Sequence, residues 1–285
     1  KTGKDLPTTY EQLENLEYSD LVEMIDFFHR PDKGLYGTAI MYSKEYDFFS
    51  CAYYPFAYST GGKIWDPTTS DVYGILNSDV NAKAMDEFVG LMKYQPADAA
   101  SFGIGSILDI FNTGKAFSAW QWLAVGAFMG GADAVVKPDM VISMPLPKWN
   151  GQLIGAMGGQ PWVINAYNDD DHMRVAIDVL KWWYSKDTQD KFIKENGGLP
   201  WSKEGAANPE YLGVAHYVKP FLYMLTEGRS QDFWHLPEYA EMLAVQQEAF
   251  NGVATGTVKT SKEALEYAAA KQQQILFNAG RTQTP

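Results

Sequence analysis

Apolar residues at helical spacing constrain this chain more than any other feature. Met173, Ala176, Ile177, Leu180 and Trp183 mark one face of a run that Asp169, Asp170 and Asp171 open and Gly197-Gly198 close. This predicts a helix from about Asp171 to Glu195, with the acids complementing its N-terminal dipole. A one-sided stripe has to be covered by another layer, so the chain must build a layered core. Leu13, Leu16, Leu21, Met24 and Phe28 repeat the pattern after Pro7-Thr8-Thr9 and stop at Pro31 and Gly34. Val80, Ala84, Phe88 and Leu91 follow Asn77 or Ser78 as cap, and a shorter helix is expected from Ser106 to Asn112, before Gly114. Near the end, Pro237 to Phe250 turns Tyr239, Met242, Leu243 and Phe250 inward; Thr260 to Glu263 then reads as a capping box ahead of Leu265, Ala268 and Ile275.

Short apolar runs at Leu35 to Met41, Val141 to Met144 and Pro161 to Asn165 read as strands set between these helices. Helices with inserted strands define the α/β class. Turns are marked by Gly61-Gly62 and Asp66-Pro67, and Gly155 to Gly159 forms a glycine-rich bend.

Composition narrows the function. The formal net charge is -12 over 285 residues, which disfavours a nucleic acid or an anionic membrane as partner. Cys51 is the single cysteine, so an intrachain disulfide and a thiolate-rich metal site are both excluded. His29, His172, His216 and His235 lack zinc-site spacing, and Gly103-Ile104-Gly105 lacks the third glycine of a dinucleotide fingerprint, with Leu108 in its place. Asn168 to Asp171 has neither the glycine nor the distal glutamate of a calcium loop, and reads as a helix start. No enzyme motif is present, and no cofactor is expected. Aromatic content is high at 14%, with nine Trp and seventeen Tyr, enough rings to fill a core and still line a stacking site.

Several segments, in order, resemble the family 1 extracellular solute-binding proteins, the maltose-binding-protein-like sugar receptors of ABC importers. Pro7-Thr8-Thr9-Tyr10-Glu11-Gln12-Leu13 is similar to the family's P-x-T-W-x-E-L helix start, with Tyr for Trp and Gln for Glu. Gly61 to Asp66 resembles its turn after an aromatic helix, and Phe111 to Ser118 resembles F-x-x-G-K-A-A-M, followed here by Trp120-Gln121-Trp122. Met157 to Ile164 resembles the G-G-x-x-W-x-I crossing segment. Gln189 to Pro200 and Thr260 to Leu265 are similar to its Q…G-G-x-P and closing T-x-x-x-A-L segments.

The resemblance implies a periplasmic-binding-protein-like two-lobe fold of type II, helix-rich, with the N-terminal lobe incomplete. Family members carry more residues before the P-T-T segment, so a truncated or cleaved form is expected. Residues 1–157 and 205–285 would form the C-terminal lobe, and 158–204 would return to the N-terminal lobe. The implied function is capture of a neutral sugar or oligosaccharide without chemistry, outside the cell or in the periplasm. The implied partner is the membrane permease of an ABC importer, and the protein would act as a monomer.

A sugar presents C–H faces and a hydroxyl rim, so its receptor needs flat rings and fixed polar groups. The expected ligand contacts are Trp120 and Trp122, at least one of them stacking; Gly158 and Gly159 through their amides; and Gln160 and Trp162 beyond them. Tyr53 or Tyr54 is expected to reach ligand from the aromatic stretch 42–58, as are Trp234 and His235 ahead of the late helix. Trp182-Trp183, inside the long helix, is expected to be core. Two other readings stay open: a quaternary ammonium ligand in a tryptophan cage, and a carbohydrate-active hydrolase using paired carboxylates. A third is an interaction domain with no small ligand.

Overall fold

Capping chemistry sets most helix starts in the computed structural model, which describes every residue except 1, 2, 4, 132, 160 and 228. Thr9 caps α1 (Tyr10–Glu14) in a reciprocal box with Gln12, and a break at Asn15 separates it from α2 (Tyr18–Phe28). The expected first helix is therefore two. Gly34 ends the region in the left-handed conformation, and β1 (Tyr36–Ala39) follows. Next come α3 (Phe48–Ser59), α4 (Asp79–Gly90) capped by Ser78, α5 (Ile104–Asn112) and β2 (Ala116–Ala119). After β3 (Ile154–Ala156), Asp169 caps α6 (Asp170–Trp183) and Ser185 caps α7 (Lys186–Asn196). The long helix is thus also two, because the Ser185 hydroxyl accepts from Thr188 N and restarts the helix. Short turns α8 (Lys203–Ala206) and α9 (Pro209–Leu212) lead to α10 (Val218–Thr226) and β4 (Arg229–Gln231). The chain closes with α11 (Tyr239–Thr255) and α12 (Ser261–Asn278), the latter capped by Thr260.

β1 pairs with β2 and β3 with β4, both in parallel, with Tyr36 opposite Ala116 and Ile154 opposite Arg229. The runs 141–144 and 161–165 form no strand, so the two strands expected there are absent. Neither β2 nor β4 was anticipated.

The main core is built round α3. From Phe49 to Ser59 all its residues except Cys51 are buried. That all-round burial is why the segment shows no helical stripe. Ser59 Oγ both accepts from Ile154 N (2.9 Å) and donates to Ile154 O (3.2 Å), tying α3 to β3. On its other side α3 meets a buried amide network from α11 and α12. Tyr54 Oη donates to Gln246 Oε1 (2.5 Å), Gln246 Nε2 to Ser50 Oγ (2.7 Å), and Gln272 Nε2 to Gln246 Oε1 (2.9 Å). A second, small core gathers Ile193, Tyr211, Tyr217 and Val218.

α6 contributes to neither core: none of its residues is buried. Val175, Val179 and Trp182 stand 59%, 47% and 61% exposed, so the tryptophan pair expected inside is not core. Nearby in sequence, Trp162, Val163, Tyr167 and Trp201 are also exposed. Of the stripe read from the sequence, Met173, Ala176, Leu180 and Trp183 are half-buried, Trp183 against Phe192 at 4.9 Å, while Ile177 is exposed, so the stripe is covered only in part.

Candidate functional site

Parallel strands deliver their following loops to one end, and in open α/β sheets ligands sit outside those carboxyl ends. β1 leads to Tyr46 and Asp47, β2 to Trp120-Gln121-Trp122, β3 to Met157-Gly158-Gly159, and β4 to Asp232 and His235. Tyr46 is 58% exposed and holds a left-handed backbone (φ +50°), a conformation that disfavours a bulky side chain. Its ring lies 6.3 Å from that of Trp122, and Phe48 lies 6.2 Å from Trp122 on another side. Phe48 fits because Gly103 has no side chain: a Cβ there would stand 2.7 Å from the ring.

Asp47 occupies the N-cap position of α3 but accepts no helix amide. Gln247 Oε1 takes the Ser50 amide instead (3.2 Å), which leaves the carboxyl turned to the Cys51 thiol. Asp47 Oδ1 is buried and receives no hydrogen bond. Burial pushes the Asp47 pKa up, and the thiol and its own backbone offset this only in part. Burial likewise raises the Cys51 thiol, helped by Asp47 and opposed by a hydrogen bond with Trp122.

Tyr239, at the start of α11, belongs to the same neighbourhood. Burial raises its phenol pKa, and Asp47, Cys51, Tyr46 and Asp232 raise it further. Burial raises Tyr58 too, followed by Asp232 and Cys51, and its buried hydroxyl finds no partner. Trp234 Nε1 is also buried without an acceptor. His235 Nε2 sits 3.0 Å from Asp232 Oδ2, both groups open to solvent.

The structure sorts the expected contacts. Trp122 is half-buried and stands in the exposed aromatic group. Trp120 is 7% exposed and packs on Phe56 and Phe88, so it is a core residue. Tyr53 and Tyr54 are fully buried, with their hydroxyls on Asn81 O (2.8 Å) and Gln246 Oε1 (2.5 Å); neither has a ring face left for ligand. Gly158 and Gly159 are exposed, with open space on their Cβ side. Gln160 lies outside the described residues. Trp162 is 60% exposed but keeps company with Trp183, 6.0 Å away. Trp234 is buried against Tyr54 and Tyr239, and His235 is exposed. The sequence reading missed Tyr46, Asp47, Phe48, Asp232 and Tyr239. One signal was present: Ser43 to Asp47 interrupts the aromatic run with polar residues.

Among the described residues no cluster of His, Cys, Asp and Glu could hold a metal ion. A 570 Å³ cavity opens beside α2, and a 240 Å³ cavity adjoins His216, whose Nδ1 is 2.7 Å from Ser143 Oγ. Neither is lined by a member of the aromatic group.

No protein-family model matches the chain. Solved structures do. A maltose-bound MalE3 from T. maritima superposes with TM-score 0.79 and 21% identity, over 92% of this chain and 66% of its own. An ABC transporter solute-binding protein from Agrobacterium radiobacter K84, in complex with ribitol, gives 0.77 and 21% over 95% and 65%. Another from Agrobacterium vitis S4, with bound D-mannitol, gives 0.76 and 18% over 98% and 68%. The chain therefore has the α/β two-lobe fold of these solute-binding proteins, as the resemblance implied. It spans 65–66% of the length of the first two.

Proposed function

We propose that this chain is part of the solute-binding component of an ABC importer and holds a sugar or polyol against aromatic rings without transforming it. The observation that carries the reading is the exposed Tyr46 beside the half-buried Trp122, past the carboxyl ends of the parallel strands. Support comes from the solved structures of the same fold, whose names record maltose, ribitol and D-mannitol. Tyr46 or Trp122 would present a ring to one C–H face of the sugar, while Gly158 and Gly159 would offer amides to its hydroxyls. The protein would work outside the cytoplasmic membrane, as a monomer handing its ligand to a membrane permease. Residues 1–157 and 205–285 would form one lobe, and 158–204 would cross to the other, which would cover the exposed side of α6 at Val175, Val179 and Trp182.

Calorimetric titration with maltose, maltotetraose and D-mannitol tests the reading. Saturable binding that falls about tenfold or more in Trp122→Ala, with the circular dichroism unchanged, supports it. Absence of binding to any sugar or polyol sinks it. Release of reducing ends from maltotetraose would instead establish a hydrolase.

A further inference from the structure

We infer that Ser143 and His216 form a nucleophile and general-base pair, in a cavity separate from the sugar site, where short-chain esters acylate the serine and are hydrolysed. The inference goes beyond the sugar-receptor reading and does not rest on it, because no member of the aromatic group lines this cavity.

Ser143 lies in the segment that precedes β3, and His216 in the turn that leads into α10, 73 residues later. The fold brings Ser143 Oγ to 2.7 Å from His216 Nδ1, within reach for proton transfer. Both residues are half-buried and both line the 240 Å³ cavity, so the pair borders open space and not packed core. Burial lowers the His216 pKa, which keeps the ring neutral and able to take a proton near pH 7. Backbone hydrogen bonds at Met129 and Gly126 act the other way and favour the charged ring, the part an orienting third group plays beside such pairs.

Val141, Ile142 and Leu212 give the cavity apolar walls suited to an acyl chain. Its volume falls below the roughly 300–1,000 Å³ of pockets for drug-sized ligands, which limits that chain to a few carbons. The charged wall residue Lys219 is engaged by Glu11 at 2.6 Å and by the Tyr10 ring at 4.2 Å. The positive field at the pair therefore comes from the first turn of α10, which starts two residues after His216 and has no side-chain cap.

In the proposed step Ser143 Oγ attacks the ester carbonyl carbon while its proton passes to His216 Nδ1. The ester C–O bond breaks, the alcohol leaves with that proton, and the serine is left acylated. Water then gives a proton to His216 and attacks the acyl carbon. The bond to Ser143 breaks, a carboxylic acid departs, and His216 returns the proton to the serine.

A fluorophosphonate probe tests the pair on the whole chain: the serine oxygen bonds to phosphorus, fluoride leaves, and His216 takes the proton. Peptide mass spectrometry should place the adduct on Ser143. Ser143→Ala should lose it, and His216→Gln should slow it about hundredfold with the circular dichroism unchanged. Hydrolysis of p-nitrophenyl acetate above the buffer rate should fall in parallel. Ser143→Cys keeps the pair and gives a second readout. At about pH 6, iodoacetamide should alkylate the new thiol at least tenfold faster than the partly buried Cys51. No adduct on Ser143, an adduct that forms as fast in His216→Gln, or a new thiol no faster than Cys51 overturns the inference and leaves the hydrogen bond as a tie between two segments.

Discussion

Asp47 and Asp71 are carboxylates of opposite temper, and pH separates them. Asp71 accepts from Thr282 Oγ1 and Gln273 Nε2, which holds its pKa at about 2. A depressed carboxyl stabilises the fold above its unfolded value of about 4, and that contribution disappears as pH falls through about 2. Asp71→Asn should therefore flatten the acid limb of a melting-temperature profile between about pH 4 and 2. For Asp47 the sign is reversed. Its raised pKa means that the folded state binds the proton more tightly than the unfolded one, so this group costs stability once ionised. Asp47→Asn should then raise the melting temperature at pH 7 and have little effect at the acid end. At this scale the sequence was legible where one residue does one local job: Ser78 and Thr260 cap where the sequence offered them, as does Thr9, while Asp169, read only as complementing the helix dipole, is itself the cap. It was silent on Tyr46, because a strained φ and an exposed ring are set by the chain on either side.

Among the elements, α3 explains why Tyr53 and Tyr54 misled. A helix buried on every side carries no polar face, so nothing in its sequence marks which ring meets solvent. Its partners are equally hidden, because Gln246, Gln247 and Gln272 read as ordinary surface amides on α11 and α12 yet lie inside. Gln246→Leu would strand Tyr54 Oη and remove one partner each from Ser50 Oγ and Gln272 Nε2, which keep Gln247 Oε1 and Met242 O. A loss of about 2–4 kcal/mol in urea unfolding is expected. Gly103→Ala should act on the site instead. The added methyl displaces Phe48, and with it the support of Trp122, so weaker sugar binding with a small change in stability is the expected outcome.

Over the whole molecule, the clearest disagreement between sequence and structure lies in α6. The stripe Met173, Ala176, Ile177, Leu180, Trp183 is a true apolar face, but no residue of α6 is fully buried, so this chain covers it only in part. Val175 and Val179 lie outside that stripe and are exposed, so Val175→Asp and Val179→Asp should leave the unfolding free energy within about 0.5 kcal/mol and reduce binding of an environment-sensitive apolar dye. Backbone amides of α6 and α7 should exchange with solvent faster than those of α3, α11 and α12, as native-state hydrogen exchange would record. The separation of the small core at Ile193, Tyr211, Tyr217 and Val218 from the large one has a calorimetric consequence. Heating should produce a low-temperature shoulder ahead of the principal endotherm, since each packed unit can melt on its own. A ligand seated at Trp122 would shift the principal endotherm and leave the shoulder in place.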